Sequence, residues 1–187
     1  MIRIAVIVLM LGLSVWASDD SIQSQVEAAL ARRTPPRSGE WWQRLGKNTP
    51  RALVSYFHQT ASAKQRVRAV EVMRHFNDPQ TSELLKAQAL GRGKPIVRRA
   101  AARSLIVSAG MKEKATYETL LQDPDPHLRV AVAEGLRALH QSEADALVDA
   151  FAAQETQGWV VQRSQAKQAT TIPNGARRIP PANDPRQ

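Results

Sequence analysis

A six-residue pattern that opens with a hydrophobic residue followed by Arg recurs along this chain, and it limits the possible folds more than any other feature. Copies start at Val67, Val97 and Leu128, which are 30 and 31 residues apart. A fainter copy, with Gln in place of the Arg, starts at Val161, 33 residues later. A nearly constant period without a cofactor motif is typical of arrays in which each repeat is one supersecondary unit.

The copy at residues 125–140 has the features of a helix. Asp125 can accept a backbone N–H as N-cap, and Pro126 stands where a missing N–H costs nothing. The small and apolar residues that follow recur at steps of three and four: Leu128, Ala131, Val132, Gly135, Leu136 and Leu139. Such a stripe predicts an amphipathic helix that packs closely against another helix through this face.

A second helical segment precedes each copy. These segments are predicted at Pro50–Gln59, Pro79–Leu90, Lys112–Gln122 and Ser142–Glu155. This arrangement resembles the HEAT-repeat family: a helix and a short turn are followed by a second helix that begins with a hydrophobic residue and Arg. Residues 120–129 (LLQDPDPHLR) are the most similar stretch. The resemblance covers about Thr49 to Thr170, although the period is shorter than the roughly 40 residues usual in the family and is similar to the short HEAT-like repeats of many bacterial proteins.

The resemblance implies an all-α fold, namely an α-solenoid of about four helix-pair HEAT-like repeats. It also implies a binding scaffold, without pointing to one partner. We therefore assign residues 49–170 to a HEAT-like repeat domain. Residues 171–187 contain several prolines and few apolar side chains, so we expect a disordered C-terminal tail there.

The first 17 residues have the composition of a secretory signal peptide. Arg3 supplies a positive start, an apolar run extends from Ile4 to Trp16, and Ala17 ends a stretch compatible with a cleavage site. An uncleaved anchor is the alternative, but the run is short for a membrane span. We therefore expect a periplasmic or secreted protein that does not span the membrane after cleavage. The chain has no Cys, so its stability must come from packing without disulfides.

Residues 18–48 are predicted to form an N-terminal helical cap. One helix should end at Thr34-Pro35-Pro36, and a short second helix should carry Trp41 and Trp42. The tryptophans have two interpretations. They can cover the exposed face of the first repeat, as terminal pieces of a repeat array must, or they can form a platform that stacks on the sugar rings of an envelope polymer.

Motifs for catalysis are missing from the sequence. The four histidines do not have the spacing of metal ligands, and the chain contains neither a nucleophile elbow nor a phosphate or dinucleotide loop. We therefore predict a protein that is not an enzyme and that uses no metal or cofactor.

Charge is strongly segregated along the chain. Residues 51–112 contain twelve Lys and Arg against three acidic residues, whereas residues 113–158 contain three basic and nine acidic residues. The part from Trp159 onward is basic again. These charges can be merely solvated helix faces, or they can form an electrostatic docking surface.

The candidate interaction residues are the arginines of the second helices: Arg68, Arg98, Arg99, Arg103 and Arg129. The HEAT resemblance implies that the first Arg of each copy pairs with an Asp in the preceding turn, and Asp123 and Asp125 precede Arg129. Arg68 and Arg98 have no such local acid. They must take one from a neighbouring repeat or remain free to bind an anion.

The sequence thus predicts an exported, non-catalytic scaffold that mediates protein–protein interaction. The alternative is a protein that binds an anionic cell-envelope polymer or lipid headgroups through the basic first half of the solenoid. Export argues against nucleic acid as the partner.

Overall fold

The computed structural model describes residues 21–32 and 38–166, and all the regular structure in those two ranges is helical. Helix α1 covers residues 21–31. The other helices are α2 (Gly39–Arg44), α3 (Thr49–Gln59), α4 (Ala63–Met73), α5 (Pro79–Leu90), α6 (Pro95–Ala109), α7 (Lys114–Leu121), α8 (Pro126–Arg137), α9 (Ser142–Gln154) and α10 (Gly158–Gln165), with a 3₁₀ turn at Gly110–Glu113. The predicted all-α class is confirmed. The predicted signal peptide and C-terminal tail lie outside the described residues.

Helix starts follow the Asp-Pro signals of the sequence. The Asp78 carboxylate accepts hydrogen bonds from the N–H groups of Gln80 and Thr81, at 2.9 and 3.2 Å. The Asp125 carboxylate likewise accepts from the N–H of His127 at 3.0 Å. Each cap satisfies backbone donors that have no partner inside the helix, an effect worth about 1 kcal/mol per cap. These caps determine where α5 and α8 begin.

The helices form pairs whose second members pack against one another. The first helices are α3, α5, α7 and α9, and the second helices are α4, α6, α8 and α10. Contacts between successive second helices are more extensive than those between successive first helices. Ala101, Leu128 and Ala131 are completely buried, and the burial of Leu128 agrees with the predicted face of α8. The second helices therefore make one continuous layer.

Helices α6 and α8 approach each other closely at Gly135. A Cβ atom placed on this glycine would lie 2.9 Å from Cδ1 of Ile106, which is itself buried. A larger residue at position 135 would therefore push against the side chain of the neighbouring helix. Glycine at this position permits the close contact between the second and third helix pairs.

The N-terminal helices share the core of the first helix pair. Val26, Leu30 and Trp42 are buried in the same apolar cluster as residues of α3 to α9. The ring of Trp41 packs edge-on against that of Trp42, with centroids 4.9 Å apart. Because Trp42 has no exposed surface, it cannot stack on a sugar ring, and its placement supports the cap interpretation.

Candidate functional site

The outer faces of α4, α6, α8 and α10 line one groove with a volume of about 640 Å³. Its lining includes Val67 and Glu71 of α4, Arg99 and Arg103 of α6, and Val130 and Glu134 of α8. Counted from Val97 and Leu128, Arg99 and Val130 stand at one equivalent position, and Arg103 and Glu134 stand at another. Helix α10 adds Trp159 and Arg163 at one end. Side chains of four helices thus lie on one concave surface.

Acidic and basic side chains contact one another in the groove. Arg103 lies 3.8 Å from one carboxylate oxygen of Glu134, and Arg163 lies 2.5 Å from the other. More than half of each arginine side chain is exposed, so solvent screening keeps such a pair weak, at roughly 0.2–1 kcal/mol. One carboxylate therefore faces two guanidinium groups, which leaves an excess of positive charge.

Exposed apolar side chains lie in the same groove. Ile96 and Val107, both on α6, are 56% and 58% exposed, and Trp159 is also exposed. The Trp159 ring is tilted against the ring of His127, with centroids 5.1 Å apart. In the described ranges, Leu90 is the one further large hydrophobic residue with comparable exposure. The groove therefore concentrates most of the exposed large apolar side chains of this part of the chain.

Two of the predicted interaction residues, Arg98 and Arg129, bind groups inside the fold. Arg98 donates to the carbonyl of Ala89 at 3.1 Å and forms an ion pair with the carboxylate of Asp123. Arg129 donates to the carbonyl of Asp123 at 2.8 Å and to both carboxylate oxygens of Glu155, at 2.7 and 3.1 Å. Only 12% and 11% of these arginine side chains are exposed. Each joins one helix pair to the next, and we call the Arg98–Asp123 and Arg129–Glu155 pairs the inter-pair clamps.

The clamps favour the ionised form of their carboxylates. Partial burial raises the pKa of Asp123, but hydrogen bonds from Arg98 and from the N–H of Asp125, with the charges of Arg98 and Arg129, outweigh that effect and lower it. The hydrogen bond from Arg129 is the main cause that lowers the pKa of Glu155, and burial offsets part of it. Both carboxylates are therefore charged at neutral pH and hold their arginines.

The partners of the clamp arginines differ from the pattern that the resemblance implies. Asp123 precedes Arg129 in the chain but gives its carboxylate to Arg98, and Arg129 takes its carboxylate partner from Glu155 in the following turn. Arg98 thus uses an acid of the neighbouring pair, one of the two alternatives predicted for it. The physical reason is the side-by-side stacking of the pairs, which brings the start of each second helix close to the next turn.

The remaining candidates, Arg68, Arg99 and Arg103, lie in two different environments. Arg68 is half-buried and donates to the carbonyl of Leu30 in α1 at 2.8 Å. Arg99 and Arg103 line the groove, where Arg99 lies 3.9 Å from a carboxylate oxygen of Asp125. Of the five predicted residues, the structure therefore places these two on the open surface of the groove.

Some of the charged side chains in the basic and acidic regions form ion pairs with one another. The basic region 51–112 and the acidic region 113–158 meet where the second helix pair packs on the third. Four ion pairs cross this boundary: Lys86–Glu113, Arg98–Asp123, Arg99–Asp125 and Arg103–Glu134. The charge polarity of the sequence thus contributes to cohesion between neighbouring pairs, and less of the basic half remains for an external anion.

Within residues 21–32 and 38–166, no group of three or more His, Cys, Asp or Glu side chains could hold a metal ion. His58 packs edge-on against Phe57, with centroids 5.7 Å apart. The carbonyl of His75 accepts a hydrogen bond from Gln43 of α2, and burial, followed by the charge of Arg74, lowers the pKa of the His75 imidazole.

None of the helices in the described ranges has the length and apolar character needed to cross a membrane.

Comparisons of the chain with protein-family models, with curated proteins and with solved structures give no match.

Several groove residues were not among the sequence candidates. Ile96 and Val107 flank Arg99 and Arg103 at steps of three and four, so all four share one face of α6. This spacing is a sequence signal that could have identified the two apolar residues. Trp159 gives no such signal, because only the packing of α10 beside α8 brings it to His127.

Proposed function

We propose that this chain is an exported, non-catalytic HEAT-like solenoid scaffold that binds a protein partner in the groove. The observation that carries the proposal is the concentration of exposed apolar side chains and arginines in one concave surface. Trp and Arg are the residue types that most often dominate the energetics of protein interfaces. Trp159, Arg99 and Arg103 place both types in the groove.

Two further observations support a HEAT-like solenoid. The pattern that starts at Val67, Val97 and Leu128 recurs once in each of three successive helix pairs. The second helices pack on one another in sequence order, and the inter-pair clamps connect each of two successive pairs to its neighbour. Contacts limited to nearest neighbours are the defining property of repeat architectures.

Export rests on the pattern of residues 1–17. We expect cleavage between Ala17 and Ser18, which intact-mass measurement of the protein from its own host would show. Soluble protein that still begins at Met1 would contradict the proposed processing.

A photo-crosslinking experiment tests the scaffold proposal. A photoreactive amino acid replaces Val107 in the groove, and in a control protein it replaces Glu118, an exposed residue of α7 that does not line the groove. On irradiation in the host compartment, we expect protein adducts from position 107 that position 118 does not give. Identical adducts from both positions, or no protein adduct from position 107, would refute binding in the groove.

A matched pair of variants sharpens this test. Arg99→Glu with Arg103→Glu should remove the adducts of position 107, because two of the four arginine charges of the groove are reversed. Arg51→Glu with Arg92→Glu makes the same change in net charge at exposed positions outside the groove, and the adducts should persist. If the adducts are lost equally in both, the interaction depends on overall charge, as binding to an anionic envelope polymer or lipid headgroups through the basic half would.

A further inference from the structure

The charges of the groove are not balanced within the described part of the chain. Its lining includes four arginines, Arg74, Arg99, Arg103 and Arg163, and two carboxylates, Glu71 and Glu134. Glu134 is shared between Arg103 and Arg163, which contact its two oxygens separately. A guanidinium group has five N–H donors arranged to bind a carboxylate through two parallel hydrogen bonds. Donors of both arginines therefore remain available to carboxylates of a ligand.

The groove also contains exposed apolar side chains that a ligand could cover. Ile96 and Val107 lie on the same face of α6 as Arg99 and Arg103, one at each end of that series. A ligand that contacts the arginines therefore also approaches an exposed apolar side chain on either side. At interfaces, such apolar residues fill pockets from which water is excluded. A ligand made only of charged groups would leave them uncovered.

The geometry disfavours three other occupants. A bilayer presents polar headgroups at its surface, so it would pair with the arginines of the groove and leave Ile96 and Val107 without apolar contacts. A nucleic-acid backbone carries a charge at every phosphate and would meet repulsion at Glu71 and Glu134. The segment of this chain that follows α10 has four basic residues and one acidic residue, so its net charge has the same sign as that of the groove.

We infer that the groove binds an acidic polypeptide segment that carries bulky apolar side chains between its Asp and Glu residues. This inference rests on the proposed scaffold function and names the chemical class of its partner. The acidic groups pair with Arg99, Arg103 and Arg163, and the apolar groups cover Ile96, Val107 and the ring of Trp159. A polypeptide can also avoid placing an acid opposite Glu71, which a uniformly charged polymer cannot do.

Binding of three labelled peptides of equal length tests the inference by fluorescence anisotropy. The first alternates Glu and Asp with Leu and Phe, the second has Ser in place of Leu and Phe, and the third has Lys in place of the acids. We expect the first to bind the whole mature protein about tenfold more tightly than either of the others. Its affinity should fall as salt rises from about 0.1 M to about 1 M, where the screening length falls from about 10 Å to about 3 Å.

Two groove variants and one control decide where the peptide binds. Arg99→Glu with Arg103→Glu should weaken binding of the first peptide about tenfold, because two attractive charge pairs become repulsive. Ile96→Ser with Val107→Ser should weaken it several-fold, because two apolar contacts are lost. Arg51→Glu with Arg92→Glu should change it less than about threefold. Equal melting temperatures of all variants would show that each is folded.

Other outcomes would overturn the inference. Equal binding of the lysine peptide, no binding of any peptide, or loss of affinity in the Arg51→Glu and Arg92→Glu control would each do so. Tighter, groove-dependent binding of a single-stranded oligonucleotide or of an anionic lipid vesicle would assign the groove to that ligand. None of these results affects the crosslinking test. Groove-dependent protein adducts together with a failed peptide test would leave the scaffold proposal standing and remove only the partner chemistry.

Discussion

Arg98 and Arg99 are adjacent in α6, and they belong to two different regions of the molecule. Arg98 is part of an inter-pair clamp, with a nearly buried side chain and a fixed carboxylate partner. Arg99 lines the groove with Arg103, where solvent reaches both side chains. Adjacent residues of a helix point about 100° apart because a turn contains 3.6 residues. The same residue type is therefore structural in one position and available for binding in the next.

The first prediction concerns the core beneath both regions and has the largest expected effect. Leu128→Asp puts a charge at a completely buried site and should lower the free energy of unfolding by about 4 kcal/mol or more. Val107→Asp puts the same charge into the open groove and should change it by less than about 0.5 kcal/mol. Denaturant unfolding of both variants measures the difference. A Leu128→Asp protein as stable as wild type would show that the assigned helix faces are wrong.

A second prediction separates the clamps from the groove. Arg129→Met removes the partner of Glu155, whose side chain is only 5% exposed, and should cost about 3 kcal/mol because a buried charge is left unpaired. Arg103→Met should cost less than about 0.5 kcal/mol, since its carboxylate partner also contacts Arg163.

Adding Glu155→Met to Arg129→Met should restore most of the lost stability, because apolar residues often replace a buried ion pair without loss. Unfolding free energies of these three variants and of wild type provide the measurement. Equal costs for Arg129→Met and Arg103→Met would abolish the distinction between the two regions.

The clamps should also make stability depend on pH. The pKa of Glu155 is lower in the folded protein than in the unfolded chain. Its contribution is therefore present above the unfolded value of about 4.3 and is lost as the pH falls through the folded value. The difference in unfolding free energy between wild type and Glu155→Gln should be constant near neutral pH and should shrink below about pH 4. A difference that stays constant into this acidic range would mean that Glu155 does not act through its charge.

The smallest effect on stability is expected in the groove. Arg99→Ala with Arg103→Ala removes two weak, solvent-screened ion pairs and should change the free energy of unfolding by less than about 1 kcal/mol in total. Thermal and denaturant unfolding of this variant beside Arg98→Ala provides the measurement. A loss as large as that of Arg98→Ala would show that the groove arginines hold the helix pairs together as the clamps do.

The sequence contained enough information for the helices but not for their ion pairs. Asp78 and Asp125 followed by proline, with apolar residues at steps of three and four, are local signals, and the helices begin where these signals predict. The partners of Arg98 and Arg129 lie 25 and 26 residues further along the chain. Such pairs arise only when one helix pair packs on the next, so a rule based on the preceding turn selects the wrong acid for Arg129.

The groove was predictable in part. Arg99 and Arg103 follow from their spacing and from the basic composition of their region. The sharing of Glu134 between Arg103 and Arg163 depends on the positions of three helices, and no property of a single helix determines it. The fourth helix pair carries the faintest copy of the six-residue pattern, so the sequence did not predict that Trp159 lines the groove.

The contact between Ile106 and Gly135 has a consequence for engineering. At the next junction, between α8 and α10, the guanidinium group of Arg137 donates to the carbonyl of Ser164 at 3.3 Å. The first contact places the end of an aliphatic side chain against a glycine, and the second places a cation against a carbonyl oxygen. Such contacts are not interchangeable. The helix pairs are therefore not interchangeable, and a chain with one pair duplicated or with two pairs exchanged would join surfaces that do not match.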